Sequence, residues 1–288
     1  MMRHSIGMNK ITIIGGSSCD LRDGDITSTA VNFTTVPLTI RLNGADWVDT
    51  MDLDTRKLVA EMKVNRDKPL TACPSPEEFA DKMREAKGDV IVVTIGAKLS
   101  GTYNSAVTAM KTVQAEMPDK KIHVIDSMSA SAGETLIIHN IIDMNEGGLV
   151  NFDELVKRAE EMRSTIRNRF LLQDLSNLVK TGRMSKVKGI IASVLNIRLI
   201  CGDDTNGEIK QYAKVIGTNK AITTLAEFPK EKLENLDTPI IITHVHNEAG
   251  VNSLKSLLEK IGFSNIRTYL MRGLASFYAN DQGLILAY

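Results

Sequence analysis

The chain has 288 residues, no net charge at pH 7, 43% apolar and 24% charged residues, long enough for one large or two medium cores. With only 5% aromatics and no basic stripe, nothing marks a nucleic-acid surface, and no apolar run reaches the length of a membrane span. Cys19, Cys73 and Cys201 form an odd, widely spaced set, which argues against a disulfide framework and for a reducing, cytoplasmic compartment.

At the amino end, Met1-Met2-Arg3-His4-Ser5-Ile6-Gly7 lacks the apolar stretch of a signal peptide and is expected to be a loose leader. Residues 10–14 form a short buried-type strand ended by Gly15-Gly16-Ser17-Ser18, with a short helix or loop at Cys19-Asp20-Leu21. A second extended run, 34–40, contains Pro37, which suits an edge or a strand start. Asn43-Gly44 then turns a hairpin into Trp47-Val48. Residues 53–64 have a helical pattern, and 69–74 read as an ordered loop. The next helix has the best local start in the chain, with Ser75 as cap, Pro76 at the first position and Glu78 completing a capping box. Residues 89–95 are the strongest strand, followed by Leu99-Ser100-Gly101-Thr102-Tyr103 and a helix running to about residue 117. A strand at 122–125 ends in Asp126-Ser127, and a helix from 130 to 144 closes at Gly147-Gly148.

This alternation of strand and helix predicts a mostly parallel sheet covered on both faces. Ligands of such sheets sit at the carboxyl ends of the strands, so Ser17, Thr71, Ser100 and Asp126-Ser127 are expected to converge on one rim. The second half reads differently. It offers a charged amphipathic helix at 152–166, a strand at 169–172 and a short helix at 175–180 ended by Thr181-Gly182-Arg183. An apolar helix at 187–195 and a hairpin about Asp203-Asp204-Thr205-Asn206-Gly207 come next. A helix near 221–226, a strand at 239–245, a helix at 252–261 and an extended segment to Tyr288 complete the chain. Hairpins mixed with helices indicate an α+β unit with a largely antiparallel sheet. The expected division is therefore residues 1–150 and 151–288, an α/β chain of two domains.

The stretch that looks most chemical is Leu99 to Tyr103. A strand, a turn carrying a glycine and two hydroxyls, and then a helix make an anion-binding corner, because the first helical N–H groups lack partners and the helix dipole is positive there. A serine at such a turn also suggests a nucleophile elbow, but the flanking glycines of G-x-S-x-G are missing, and His4, His123, His139, His244 and His246 stand in no triad context. Cys73, between Ala72 and Pro74, has no electropositive neighbour and reads as a small semi-buried side chain. His244 and His246, two apart in a strand, would share a face, yet two histidines make an incomplete metal site. Residues 203–207 lack the glutamate of a calcium loop, and neither phosphate-loop glycine pattern is present. Arg183 reads equally well as a cation for an anionic ligand or as a solvated residue after a helix-ending glycine. The residues alone support a small anion or carboxylate held between two domains, with no catalytic apparatus and no metal.

Leu99-Ser100-Gly101-Thr102-Tyr103-Asn104-Ser105-Ala106 is close to the LSGTYxSA motif of the DegV family, and Thr71-Ala72-Cys73-Pro74-Ser75-Pro76 is close to its TSxPSP. Val36-Pro37-Leu38, Asp126-Ser127 and the Leu175 to Arg183 run, similar to L-x-x-L-x-x-x-GR, agree as well. The chain thus resembles the DegV bacterial fatty-acid-binding proteins over most of its length. The resemblance implies two domains with one long-chain fatty acid between them and no other cofactor. The carboxylate would be held by hydroxyls and backbone N–H groups at Thr71, Ser100, Gly101 and Thr102, with Ala72, Ser17 and Arg183 in the same set. It also implies a carrier that presents the acid to a separate fatty acid kinase subunit, which makes the acyl phosphate. Physics allows this, since each buried methylene contributes about 0.8 kcal/mol; residues of 187–200 and 130–144 are available to line a tunnel. The alternative is an enzyme acting on a small phosphorylated or carboxylated metabolite at the same corner. Departures from the family pattern are Gly15-Gly16 where T-D is usual, Ala72 in place of a serine, Arg198-Leu199 in place of K-P, and no histidine in residues 279–283.

Overall fold

The computed structural model describes residues 10–148, 151–184 and 196–288. The first part carries β1 (Ile11–Gly16), β2 (Val31–Val36), β3 (Thr39–Leu42), β4 (Ala45–Val48), α1 (Thr55–Val64), β5 (Leu70–Ala72), α2 (Pro76–Glu85), β6 (Asp89–Thr94), α3 (Thr102–Glu116), β7 (Ile122–Asp126) and α4 (Ala132–Glu146). The second carries α5 (Phe152–Arg163), β8 (Asn168–Leu171), α6 (Ser176–Lys180), β9 (Ile197–Asp203), β10 (Ile209–Ile216), α7 (Thr218–Lys232), β11 (Ile240–His244), α8 (Glu248–Ile261), β12 (Ile266–Leu270), α9 (Gly273–Ala279) and β13 (Leu284–Ala287).

Three sheets result. A parallel sheet runs β2-β1-β6-β7, a largely antiparallel one runs β10-β9-β8-β13-β11-β12 with β11 and β12 parallel, and a small antiparallel one runs β4-β3-β5. The mixed α/β class read from the sequence is thus the observed one.

Strand periodicity sorts the core. Ile11, Ile13, Ile91 and Val93 face α4, whereas Ile14, Val90 and Val92 face α2 and α3. In the antiparallel sheet, Ile241, Ile285 and Ala287 join the α4 layer, and Ile240, Ile242, Leu284 and Leu286 meet α7 and α8. Because successive side chains point to opposite faces, both sheets are covered on both sides. Helix α4 lies between them, with Leu136, Ile137, Ile138, Ile141 and Ile142 all buried. Buried positions lie on nearly every side of it, Glu134 and His139 among them, as suits a core helix.

Local signals explain the elements. Ser75 and Glu78 form both bonds of the capping box that starts α2. Asn43 and Gly44, with φ of 47° and 76°, make the hairpin between β3 and β4, as a two-residue turn with both residues left-handed requires. Helix α6 ends through Gly182 at φ 80°, where Gly182 N–H bonds Val179 O and Arg183 N–H bonds Leu178 O, a glycine-led cap that satisfies the last carbonyls.

Five sequence expectations change. The extended run at 34–40 divides about Pro37 into β2 and β3, which belong to different sheets. Residues 70–72, read as loop, pair with β3 as β5. The extended carboxyl-terminal segment contains α9, which packs back against α1 and β3. Strand β11 ends at His244, and His246 lies beyond it at φ 48°, so the two histidines do not share a strand face. Cys73 is exposed, not semi-buried. The helix expected at 187–195 lies outside the described residues.

Candidate functional site

The carboxyl ends of β1, β6 and β7, the end of β5, and the face of α9 enclose one cavity of about 180 Å³ between the parallel and antiparallel sheets. Ligand sites of parallel sheets form at these strand ends because the helix starts and turns converge there. Leu38, Ile95 and Leu99 line it from one side, and Phe170, Leu172 and Ile285 from the other. Most of the wall is therefore apolar, and its polar groups fall into two sets.

The first set is at the corner before α3. Ser100 and Gly101 line the cavity. Ser100 Oγ pairs with Thr102 Oγ1 at 2.9 Å and accepts from Thr102 N–H at 3.3 Å, while Gly101 caps α3 without a side chain. Thr102 is fully buried and holds Ser100 from behind. Close by, a Cβ added to Gly101 would lie 3.4 Å from Cys73 Sγ, so the end of β5 abuts the start of α3. On β5, Thr71 Oγ1 and Tyr278 OH of α9 are 2.9 Å apart. Arg183 donates from Nε to Leu99 O at 3.2 Å and from Nη1 to Thr181 O at 2.7 Å; a guanidinium has five N–H groups, so donors remain. At Leu99, Ser100, Gly101 and Arg183 the cavity adjoins a polar surface cleft that also carries Lys98 and Thr181. This is the polar mouth.

The second set is the inner wall formed by Ser18, the segment after β7, and β8–β9. That segment is shaped by close approach: Gly96 N–H bonds Ser129 O at 2.7 Å, and a Cβ on Gly96 would come within 3.0 Å of Met128 C. Met128 and Ser131 both have positive φ, 53° and 56°, an uncommon backbone for such residues and a mark of a locally constrained loop. Ser129 Oγ donates to Asp203 Oδ2 at 3.1 Å. Ser131 Oγ donates to Asp20 Oδ2 and meets Thr243 Oγ1 at 2.6 Å. Burial pushes the Asp203 carboxyl up to about 6 and the Asp20 carboxyl up to about 7, the second against its bonds from Ser131 and the Arg272 N–H. Glu134 is fully buried, and burial drives its carboxyl well above the carboxylate range against the opposing pull of the Ser18 hydroxyl and the Ser131 N–H.

Of the residues expected at the site, Thr71, Ala72, Ser100, Gly101 and Arg183 line the cavity, and Thr102 backs Ser100. Ser17 does not line it. Its hydroxyl accepts from Leu38 N–H at 3.0 Å beside the Asp49 carboxyl, and Ser18 takes the wall position instead. Asp126 also turns away, accepting from Ala97 N–H and Met128 N–H to tie β6 to β7. A Cβ on Gly16 would stand 3.2 Å from Ser18 Oγ and 4.0 Å from Glu134 Oε1. An aspartate at Gly16 would thus bring a second carboxyl against Glu134. Ser18 lay in the Gly15-Gly16-Ser17-Ser18 stretch, from which Ser17 was expected at the site instead; Tyr278 and Asn168 stand in no motif, and Tyr278 meets Thr71 only through the return of α9.

Such a cavity can take an apolar chain and hold an anionic end at its mouth. Among the described residues no histidine lines it, and no group of three or more His, Cys, Asp or Glu could hold a metal ion. No helix there is long and apolar enough to cross a membrane.

The comparisons agree on kinship. A family profile described as "Uncharacterised protein, DegV family" matches residues 10–275. A DegV domain-containing protein of Streptococcus pyogenes serotype M1 is 34% identical over 280 residues, covering 96% of this chain and 98% of the relative. A DegV family protein from Ruminococcus gnavus, solved with vaccenic acid, superposes with a TM-score of 0.90 at 30% identity, covering 97% of this chain and 99% of that one. The Fatty Acid Kinase (Fak) B3 protein of Streptococcus pneumoniae, loaded with linoleic acid, gives 0.89 at 30% identity with the same coverage. The chain belongs to the DegV family.

Proposed function

We propose that this protein is a fatty-acid carrier that buries a long acyl chain in the cavity and holds its carboxylate at the polar mouth. One observation carries the reading: a mostly apolar cavity that meets a polar cleft at Ser100, Gly101 and Arg183, with Thr71 also on its wall. Thr71 and Ser100 donate to the carboxylate, the start of α3 adds its dipole, and Thr102 fixes Ser100. Similar proteins solved with vaccenic and linoleic acids support it. On this reading residues 1–150 supply the carboxylate loops, and 151–288 complete the acyl tunnel, with α9 as a shared wall.

A head group at the mouth is reachable by a separate kinase subunit, which would make the acyl phosphate; this chain itself is no catalyst. Among the described residues the side chain that Ser100 Oγ meets is the Thr102 hydroxyl and not a base, so it serves as a donor. Three free cysteines fit a reducing cytoplasm. The rival, an enzyme for a small charged metabolite, calls for a compact polar pocket, which a mostly apolar wall does not provide. Native mass spectrometry and lipid extraction of protein purified from a bacterial host test the carrier. A bound long-chain acid is expected; its absence, with no uptake of palmitate or oleate, would refute the proposal.

A further inference from the structure

The antiparallel sheet shows where the cavity ends. Its strands run β10-β9-β8-β13-β11-β12, and the cavity crosses the first four of them. Ile209 of β10 lines both the cavity and the polar cleft at its mouth. Asp203 of β9, Phe170 of β8 and Ile285 of β13 continue the wall. Among the described residues, none of β11 or β12 lines it. Neighbouring strands lie about 4.8 Å apart, so the floor runs about 14 Å from β10 at the mouth to β13.

Strand pairing fixes what stands at that end. Ile285 lies in the ladder between Phe170 on β8 and Thr243 on β11. Phe170 and Ile285 keep 8% and 9% of their surface exposed, although β8 and β13 are the two central strands. With both faces of the sheet covered, that surface opens on the cavity they line. Thr243 has none. Its Oγ1 lies 2.6 Å from Ser131 Oγ, which also bonds Asp20. This buried pair ties β11 to the loop before α4 and closes the wall beyond Ile285. An alkyl chain has no hydrogen bond to offer in place of those it would break there, and an unpaired buried hydroxyl is costly. On this sheet the Ile285 side chain is the blind end.

Resting on the fatty-acid reading for the mouth, we infer that Ile285 gauges acyl length. The terminal methyl of the chain abuts the Ile285 side chain when the carboxylate is seated at Ser100 and Thr71.

The test titrates delipidated protein with the straight-chain saturated acids from dodecanoic to eicosanoic and records, for each variant, the length bound most tightly. Ile285→Ala removes three carbons from the end wall and should move that optimum about two to three carbons longer. Ile285→Phe should move it shorter by a similar amount. In the alanine variant, the acid two carbons longer than the wild-type optimum should gain roughly tenfold over that optimum, since each newly buried methylene is worth about fourfold. The readout is a ratio within one protein, so a general loss of affinity does not imitate it. Ile285→Val, too small a change to endanger folding, should lengthen the optimum by about one carbon. Leu286→Val, the next residue of β13 but facing α7 and α8, should leave it unmoved. An optimum that stays put in the Ile285 variants, or that Leu286→Val shifts equally, overturns the inference. A wild type that binds no acid of any length overturns the carrier reading itself, and this inference with it.

Discussion

Ser100 shows how much a single hydrogen bond decides. Its Oγ sits 2.9 Å from Thr102 Oγ1, and a hydroxyl neighbour cannot take its proton as a histidine would. On the proposed reading Ser100 is an oriented donor to the carboxylate, as is Thr71, whose hydroxyl is set by Tyr278. Hydrogen bonds to charged groups contribute about 1.5–3 kcal/mol, so Ser100→Ala and Thr71→Val should each weaken oleate binding by roughly one to two orders of magnitude. Titration of delipidated protein reads this directly, and unchanged affinity in both variants would move the head group elsewhere. Tyr278→Phe leaves the Thr71 hydroxyl in place but unguided; a loss of only about fivefold is expected, from a neutral bond of about 1 kcal/mol.

Among the elements, those with a local signal were legible and those built by distant contacts were not. The capping box at Ser75 and Glu78, the Asn43-Gly44 turn and the apolar run of β6 each carry their cause within a few residues. Strand β5 does not; its three residues are exposed or half-buried, and only pairing with β3 makes them a strand. Nor does α9, whose seven residues are buried except Tyr278, leaving no polar face to reveal a helical period. Its start is set from 224 residues away, where Asp49 accepts from Gly273 N–H at 2.7 Å and from Leu274 N–H at 2.8 Å. Arg272, fully buried, donates to Asp49 O and Thr35 Oγ1. Ser17 was misplaced for a related reason: in a three-residue turn, Ser17–Cys19, neighbours face opposite ways and no periodicity tells which. Asp49→Asn keeps one acceptor, loses the other and removes the negative charge that lies 3.8 Å from the buried Arg272 Nε. Breaking a buried pair on one side costs about 3–5 kcal/mol, so urea unfolding should show a loss of that order. Fatty-acid affinity should fall with it, since Leu274, Ala275 and Tyr278 line the cavity. Stability unchanged by the substitution would mean that packing alone seats α9.

Across the whole molecule, α4 is the shared layer, and the groups it buries link stability to pH. Ser131, just before α4, bonds Asp20, whose carboxyl burial raises from 3.8 to about 7. Between those two values the folded protein keeps a proton that the unfolded chain has released. Unfolding then sheds a proton, and stability from this group declines as pH rises, most steeply between about pH 4 and 7, and levels off above. For a fully buried group shifted this far, the loss between pH 5 and 8 is on the order of 2–3 kcal/mol. Asp203, raised to about 6 for the same reason, acts in the same direction, so the wild-type curve alone would not isolate Asp20. The comparison with Asp20→Asn does, because the amide cannot ionise yet still accepts from Arg272 N–H, which Asp20 Oδ1 now does at 2.8 Å. Denaturant unfolding of both proteins at pH 5 and pH 8 should show the variant gaining on the wild type at the higher pH. A stability difference that stays constant across that range would show that Asp20 does not change protonation there. The expected trend would mean that the buried carboxyl beneath Ser131 is neutral at mildly acidic pH and becomes charged as the pH rises through about 7.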